Sequence, residues 1–101
     1  MNRAAKGNGF DLEVARQLEQ EGWTVASRRH VPGPGDLLAV RDGSRTRLIE
    51  CKRGAGSPFE NFRRTDRHVL ADYAGERGLV AELAWRKDRG RLEFISFREW
   101  P

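Results

Sequence analysis

Gly33-Pro34-Gly35-Asp36-Leu37-Leu38-Ala39-Val40, followed closely by Arg47-Leu48-Ile49-Glu50-Cys51-Lys52, reads as a turn, a strand, a hairpin loop and a second strand. The run Pro32-Gly33-Pro34-Gly35 excludes helix, because Pro lacks an N–H and Gly breaks periodicity. Neighbouring side chains in a strand point to opposite faces, so Glu50 and Lys52 share a face with Leu48, while Ile49 and Cys51 share the other. Register then fixes where Asp36 falls. A three-residue loop at Asp42, Gly43 and Ser44 opposes Arg41 to Arg45 and, counting back, Asp36 to Glu50. A two-residue loop at Gly43 and Ser44 opposes Asp42 to Arg45 and sends Asp36 to the far face. In the first register two carboxylates lie side by side and repel unless a cation sits between them. Magnesium suits such a place, since it takes oxygen ligands and binds through one or two carboxylates, waters and phosphate.

Upstream, Phe10, Val14 and Leu18 recur at helical spacing from Gly9 to Gly22, with Ala15 on the same stripe and Gly22 as the C-terminal cap. Trp23 to Arg28 alternates as a strand. Downstream of Lys52, the Gly-rich stretch from Arg53 to Ser57 reads as a loop. A second helix is predicted from Phe62 to Glu76 on a stripe of Val69, Leu70 and Tyr73, with Ala71 and Ala74 beside it. Two strands, Leu79 to Arg86 and Leu92 to Phe97, close the chain around a turn at Asp88 to Gly90. The order is helix, three strands, helix, two strands. It predicts one α/β domain over residues 1–101, a mixed five-stranded sheet with an antiparallel hairpin at its centre and helices packed on it.

The 101 residues allow one core and leave no room for a separate regulatory module. Net charge is +4, and nearly all of the positive charge is Arg, with lysine only at Lys6, Lys52 and Lys87. Arg forks phosphate better than Lys does, but composition bias also produces basic chains, so charge alone does not decide for a nucleic acid partner and the motif must. Cys51, the only cysteine, excludes an internal disulfide and a cysteine-based zinc knuckle. His30 and His68 show no metal spacing with it. No apolar run approaches the roughly 18 residues of a membrane span, and no apolar signal core is present. A soluble, cytoplasmic protein with no membrane contact and no small-molecule cofactor is expected. There is no Walker loop, Ser-His-Asp order or dinucleotide fingerprint.

Each residue also has a plainer reading. Asp36 after Pro-Gly could be a turn residue, Glu50 and Lys52 a solvated strand face, and the arginines ordinary surface. Taken together, charges inside so apolar a strand lack another purpose. Trp23, Trp85 and Trp100 read as core or interface anchors in preference to base-stacking platforms.

With these residues in place, the chain resembles the PD-(D/E)xK nuclease superfamily, and within it the archaeal-type Holliday junction resolvases. The resemblance runs over most of the length. It rests on a helix that opens with an acid and ends at Gly22-Trp23, the Gly35-Asp36 turn, the Ile49-Glu50-Cys51-Lys52 strand, and a helix before two closing strands. It implies a restriction-endonuclease-like core and a magnesium-dependent endonuclease, with manganese as a substitute, that cuts branched DNA at four-way junctions by paired symmetric nicks. Asp36 and Glu50 would bind the metal, with the Ile49 or Cys51 carbonyl as a further ligand, and Lys52 would position or activate the attacking water. Products would be 5′-phosphate and 3′-hydroxyl ends.

Such resolvases carry a Glu in the first helix about eleven residues before its closing Gly, and the count back from Gly22 lands on Asp11. Asp11 falls on the core stripe with Val14, Ala15 and Leu18, whereas Glu13 falls with Gln17 and Gln20, so Asp11 is preferred and Glu13 is the alternative. Asp is one methylene shorter than Glu. The Gln common near the start of the superfamily's second helix is missing, its stretch reading Arg63-Arg64-Thr65-Asp66-Arg67. Phosphate contacts are expected from Arg28, Arg29, His30, Arg53, Arg63, Arg64 and Arg67. One site per chain against two strands implies a homodimer, with Phe94, Phe97 and Trp100 as interface material. Another nuclease of the superfamily (flap, nicking or restriction-like) and a noncatalytic DNA-binding module are the alternatives.

Overall fold

The computed structural model describes residues 9–101, and Lys6 lies outside them. In chain order the elements are α1 (Gly9–Gln20), β1 (Thr24–Ser27), β2 (Leu37–Val40), β3 (Arg47–Gly54), α2 (Arg64–Glu76), β4 (Val80–Lys87), β5 (Leu92–Ser96) and a final 3-10 turn (Phe97–Glu99). The five strands lie in one sheet in the order β1-β2-β3-β4-β5. Every neighbouring pair is antiparallel except β3 and β4, which run parallel because α2 crosses between them. The predicted mixed sheet with flanking helices is what forms. Among the described residues no helix is long and apolar enough to cross a membrane.

Both helices end in the same device. At α1, the Trp23 N–H reaches the Leu18 carbonyl and the Gly22 N–H the Glu19 carbonyl, with Gly22 at φ +95°. These paired bonds satisfy the last free carbonyls, and Leu18 and Trp23 then pack together in the core. Gly78 and Leu79 repeat the pattern at α2 on Gly75 and Ala74. The α2 start is set by Asp66, whose carboxylate accepts the Arg63 N–H at 3.2 Å, so the helix begins at Arg64 and not at Phe62.

Strand alternation divides the core between the two faces of the sheet. Phe10, Val14, Ala15 and Leu18 of α1 cover Val25, Leu37, Ala39 and Ile49. On the other face Leu70 and Ala74 of α2, with Phe62, cover Leu48, Ala81, Leu83 and Trp85. Trimming Leu48 or Leu83, both fully buried, to Ala costs about 2–5 kcal/mol. Val69 is 50% exposed, contrary to the expected stripe; Leu70 and Ala74, one turn apart, are the inward positions, and Phe62 fills the space beyond them.

The β2–β3 register is the one that the three-residue loop implied: Leu37 opposes Ile49, Leu38 Leu48, and Ala39 Arg47. The tight loop does not form, because pairing stops at Ala39–Arg47 and residues 41–46 make a wider connection with a turn from Arg41 to Ser44. Strand β3 runs to Gly54, into the stretch expected to be loop, because Arg53 and Gly54 pair with Arg86 and Lys87 of β4. Phe94, Phe97 and Trp100 do not form one surface. Phe94 packs on the α1 face, Trp100 lies edge-on to Phe62 on the α2 face with its Nε1 donating to the Ile95 carbonyl, and only Phe97 is exposed.

Candidate active site

Asp36 sits where the chain enters β2, and the sequence around it leaves that position little freedom. Gly35 has φ +93°, and a Cβ there would stand 2.6 Å from Leu48 Cδ1, so a glycine is required on both counts. The Asp36 carbonyl accepts the Arg28 N–H at 2.8 Å, continuing the β1–β2 pairing. Toward β3 it behaves differently. Its N–H goes to the Ile49 carbonyl at 2.8 Å, one position short of the β2–β3 register, and its carboxylate takes the Cys51 N–H at 2.7 Å. A side chain thus replaces a backbone rung, which draws the carboxylate into the plane of the sheet between its two faces. This corrects the side-by-side placement expected of Asp36 and Glu50: the register is as expected, but Asp36 lies just past its last paired residue.

Asp11 approaches from the α1 face. It is buried at 9% exposure, and one of its oxygens, one oxygen of Asp36 and the Cys51 sulfur lie within 4.8 Å of one another. Burial first, then the Asp36 charge, lifts its pKa above the usual carboxylate range. Burial likewise lifts Asp36, against the pull of the Cys51 N–H and Lys52. Helix phase separates Asp11 from Glu13, since Glu13 points outward and pairs with Arg86 at 3.1 Å.

Glu50 and Lys52 project toward α2, with the ammonium 3.5 Å from the Glu50 carboxylate. Burial, reinforced by the Asp36 charge and opposed by Lys52, pushes Glu50 up to about 7. Glu50 is outside the Asp11–Asp36–Cys51 group but shares an electrostatic field with it through Asp36. Asp66 of α2 lines the same groove as Glu50 and Lys52 and adds to the field on Glu50. Sequence reasoning gave Asp66 no part here. Its capping position at α2 was readable, whereas its approach to Glu50 depends on how α2 docks.

This arrangement fits a hard divalent cation. A buried and a half-buried carboxylate repel each other beside a third acid, and all three are held above their ordinary pKa, so a cation would relieve what partial burial imposes. The donors at hand are carboxylate oxygens from α1 and β2 and the thiol of Cys51, whose proton burial and three neighbouring carboxylates hold on firmly.

The arginines divide by where their donors go. Arg29 lines an open cavity of about 400 Å³ together with Asp11 and Asp36. Arg53 lies on the opposite side of Asp11, in a groove with Lys52 and Cys51. His30, Arg63 and Arg64 are exposed. Arg28 is not a surface cation: at 8% exposure its Nε and Nη2 are committed to the carbonyls of Pro34 and Pro32 and the Tyr73 hydroxyl. Arg67 is half-buried, donates to the Phe62 carbonyl at 2.6 Å and lies over Phe59. Both are drawn inward by backbone carbonyls that their side chains satisfy, so their donors point into the protein and not to solvent.

Comparison with known proteins bears on the fold and the family. The structure resembles that of Archaeoglobus fulgidus Hjc, a Holliday junction resolvase from an archaeal hyperthermophile. The TM-score is 0.69 and the identity 20%, over 92% of this chain and 74% of that one, a likeness of fold. A search of curated sequences returns no significant match. The sequence profile described as archaeal Holliday junction resolvase (Hjc) matches residues 2–100. A match of that extent, over elements in this order, makes the chain a member of the archaeal Holliday junction resolvase family of metal-dependent endodeoxyribonucleases.

Proposed function

We propose that the chain cuts four-way DNA junctions by paired symmetric nicks, using magnesium or, in its place, manganese. The observation that carries this reading is the meeting of Asp11 and Asp36 beside Cys51, with Glu50 and Lys52 on the same strand as Cys51. Asp36, Asp11 and Glu50 hold the ion, with the Cys51 carbonyl as a further ligand. When bound, it supplies positive charge to the phosphate under attack. Lys52 orients the attacking water and offsets negative charge growing on phosphorus. The water oxygen bonds to phosphorus and the bond to O3′ breaks. The proton that the attacking water gives up passes to solvent, and O3′ leaves by taking a proton from solvent, so the ends are 5′-phosphate and 3′-hydroxyl.

Arg29 and Arg53 flank Asp11 and contact phosphates on either side of the cut, with Arg63, Arg64 and His30 farther out. Two copies related by a two-fold axis supply the two cuts, and junction choice comes from the spacing of two basic surfaces, not from base edges. The DNA substrate puts the protein in the cytoplasm. Purified protein incubated with four-way, Y-shaped and linear duplex DNA, with and without magnesium, tests the reading. Paired nicks confined to the junction support it. Equal cutting of linear duplex makes it another nuclease of the superfamily. Junction binding without cleavage in either ion, equal in wild type and Asp36→Asn, makes it a binding module.

A further inference from the structure

The segment 31–35 delivers Asp36, yet it has few backbone means of holding itself in place. Pro32 and Pro34 have no N–H to donate, and their carbonyls need donors from elsewhere. Arg28 supplies both, Nη2 to Pro32 at 3.1 Å and Nε to Pro34 at 3.2 Å. Its backbone N–H binds the Asp36 carbonyl at 2.8 Å, so one residue grips the segment through its side chain and the acid through its main chain. The same Nη2 donates to the Tyr73 hydroxyl on α2 at 3.3 Å, and the guanidinium lies 5.3 Å from the Tyr73 ring centre. Gly33, at φ +104°, presses against this pair. A Cβ there would come within 2.9 Å of the Tyr73 ring and 3.1 Å of Arg28 Nη2. Arg77 also lies over the ring, 3.6 Å from its centre.

We infer that Arg28 and Tyr73 form a latch that ties the Asp36 segment to α2, and that Arg28 is a positioning residue acting through this latch, not a phosphate contact. The inference rests on the reading of Asp36 as a metal-holding acid. Tyr73→Phe keeps the ring against Gly33 and removes only the hydroxyl, while Arg28→Lys keeps a charge and loses the fork that spans two carbonyls.

Both variants, with Asp36→Asn as reference, are compared in four measurements: Mn2+ affinity of the DNA-free protein, junction binding in chelator over a salt series, single-turnover cleavage against Mg2+ concentration, and thermal unfolding. Arg28→Lys is expected to weaken Mn2+ binding about tenfold, the low end of what losing support behind a ligand costs, and Tyr73→Phe, which removes one hydrogen bond and keeps the guanidinium, by less, about threefold. Half-saturating Mg2+ for cleavage should rise in step. Junction affinity and its salt slope should stay unchanged. A drop in junction affinity with a salt slope smaller by about one, at constant Mn2+ affinity, would overturn the latch in favour of a phosphate contact. Unchanged behaviour of both variants beside an impaired Asp36→Asn would also overturn it. Asp36→Asn binding Mn2+ as wild type does would instead remove the site reading on which the latch rests. If Arg28→Lys melts early, Tyr73→Phe decides alone.

Discussion

Replacing Glu50 with Gln should make the metal-free protein more stable above neutral pH while leaving it unable to cut. Burial first, then the neighbouring acids, raises Glu50 from 4.5 to about 7, with Lys52 pulling the other way. Below pH 4.5 the carboxyl is protonated in both folded and unfolded chains, so the two states bind equal numbers of protons. Between about 4.5 and 7 the unfolded chain releases its proton and the folded chain keeps it, so stability falls as pH rises; above 7 the loss is complete. The gap of about 2.5 pH units, at about 1.36 kcal/mol per unit, sets an upper limit of about 3 kcal/mol. Gln does not titrate and therefore escapes this loss, less what is forfeited when the 3.5 Å contact with Lys52 loses its charge. A net gain of about 1–3 kcal/mol is expected at pH 8 and almost none at pH 4. Urea unfolding of both proteins in chelator at pH 4, 6 and 8 measures it, and millimolar magnesium should shrink the gap at pH 8 by stabilising wild type more than the variant. A variant no more stable than wild type at pH 8, or a difference that does not depend on pH, would refute the reasoning.

If the ammonium serves the attacking water as proposed, Lys52→Ala should lose cleavage while retaining Mn2+ affinity in a titration of the DNA-free protein. Asp11→Asn should weaken Mn2+ binding by at least tenfold, whereas Glu13→Gln, which faces Arg86 on the outside, should leave it within twofold, roughly as expected for a ligand against a surface pair. Gly35→Ala should lower stability by about 1–3 kcal/mol in urea, since its φ of +93° and the 2.6 Å approach of Leu48 penalise any side chain.

The period of the apolar residues in α1 and the alternation in β3 were enough to put Asp11 inward, Glu13 outward, and Glu50 with Lys52 on one face. Those are local consequences of helix and strand geometry, and they carry over intact. Asp36 shows where locality stops: register counting assumes that pairing continues past Leu37, but a carboxylate that can bond the Cys51 N–H ends the ladder one residue early. Arg28 and Arg67 read as surface cations because charge in a sequence says nothing about orphaned carbonyls nearby. The length of β3 and the approach of Asp66 to Glu50 depend on β4 and α2 meeting residues more than a dozen positions away. The split of Phe94 from Trp100 follows from strand alternation at β5 and the 3-10 turn after it, where a shared aromatic surface had been the simpler expectation.

The in-plane carboxylate of Asp36 makes assembly of the centre an all-or-none affair. One acid arrives on the helix above the sheet, one on a strand face that is closed only when the other helix lies beneath, and the third joins them through the thickness of the sheet itself. On the proposed reading, a chain with either helix adrift carries an incomplete set of charges and should hold manganese far more weakly, so a half-made molecule should not cut DNA. Bound manganese counts finished molecules in a refolding mixture, a stricter gauge than recovered helix signal.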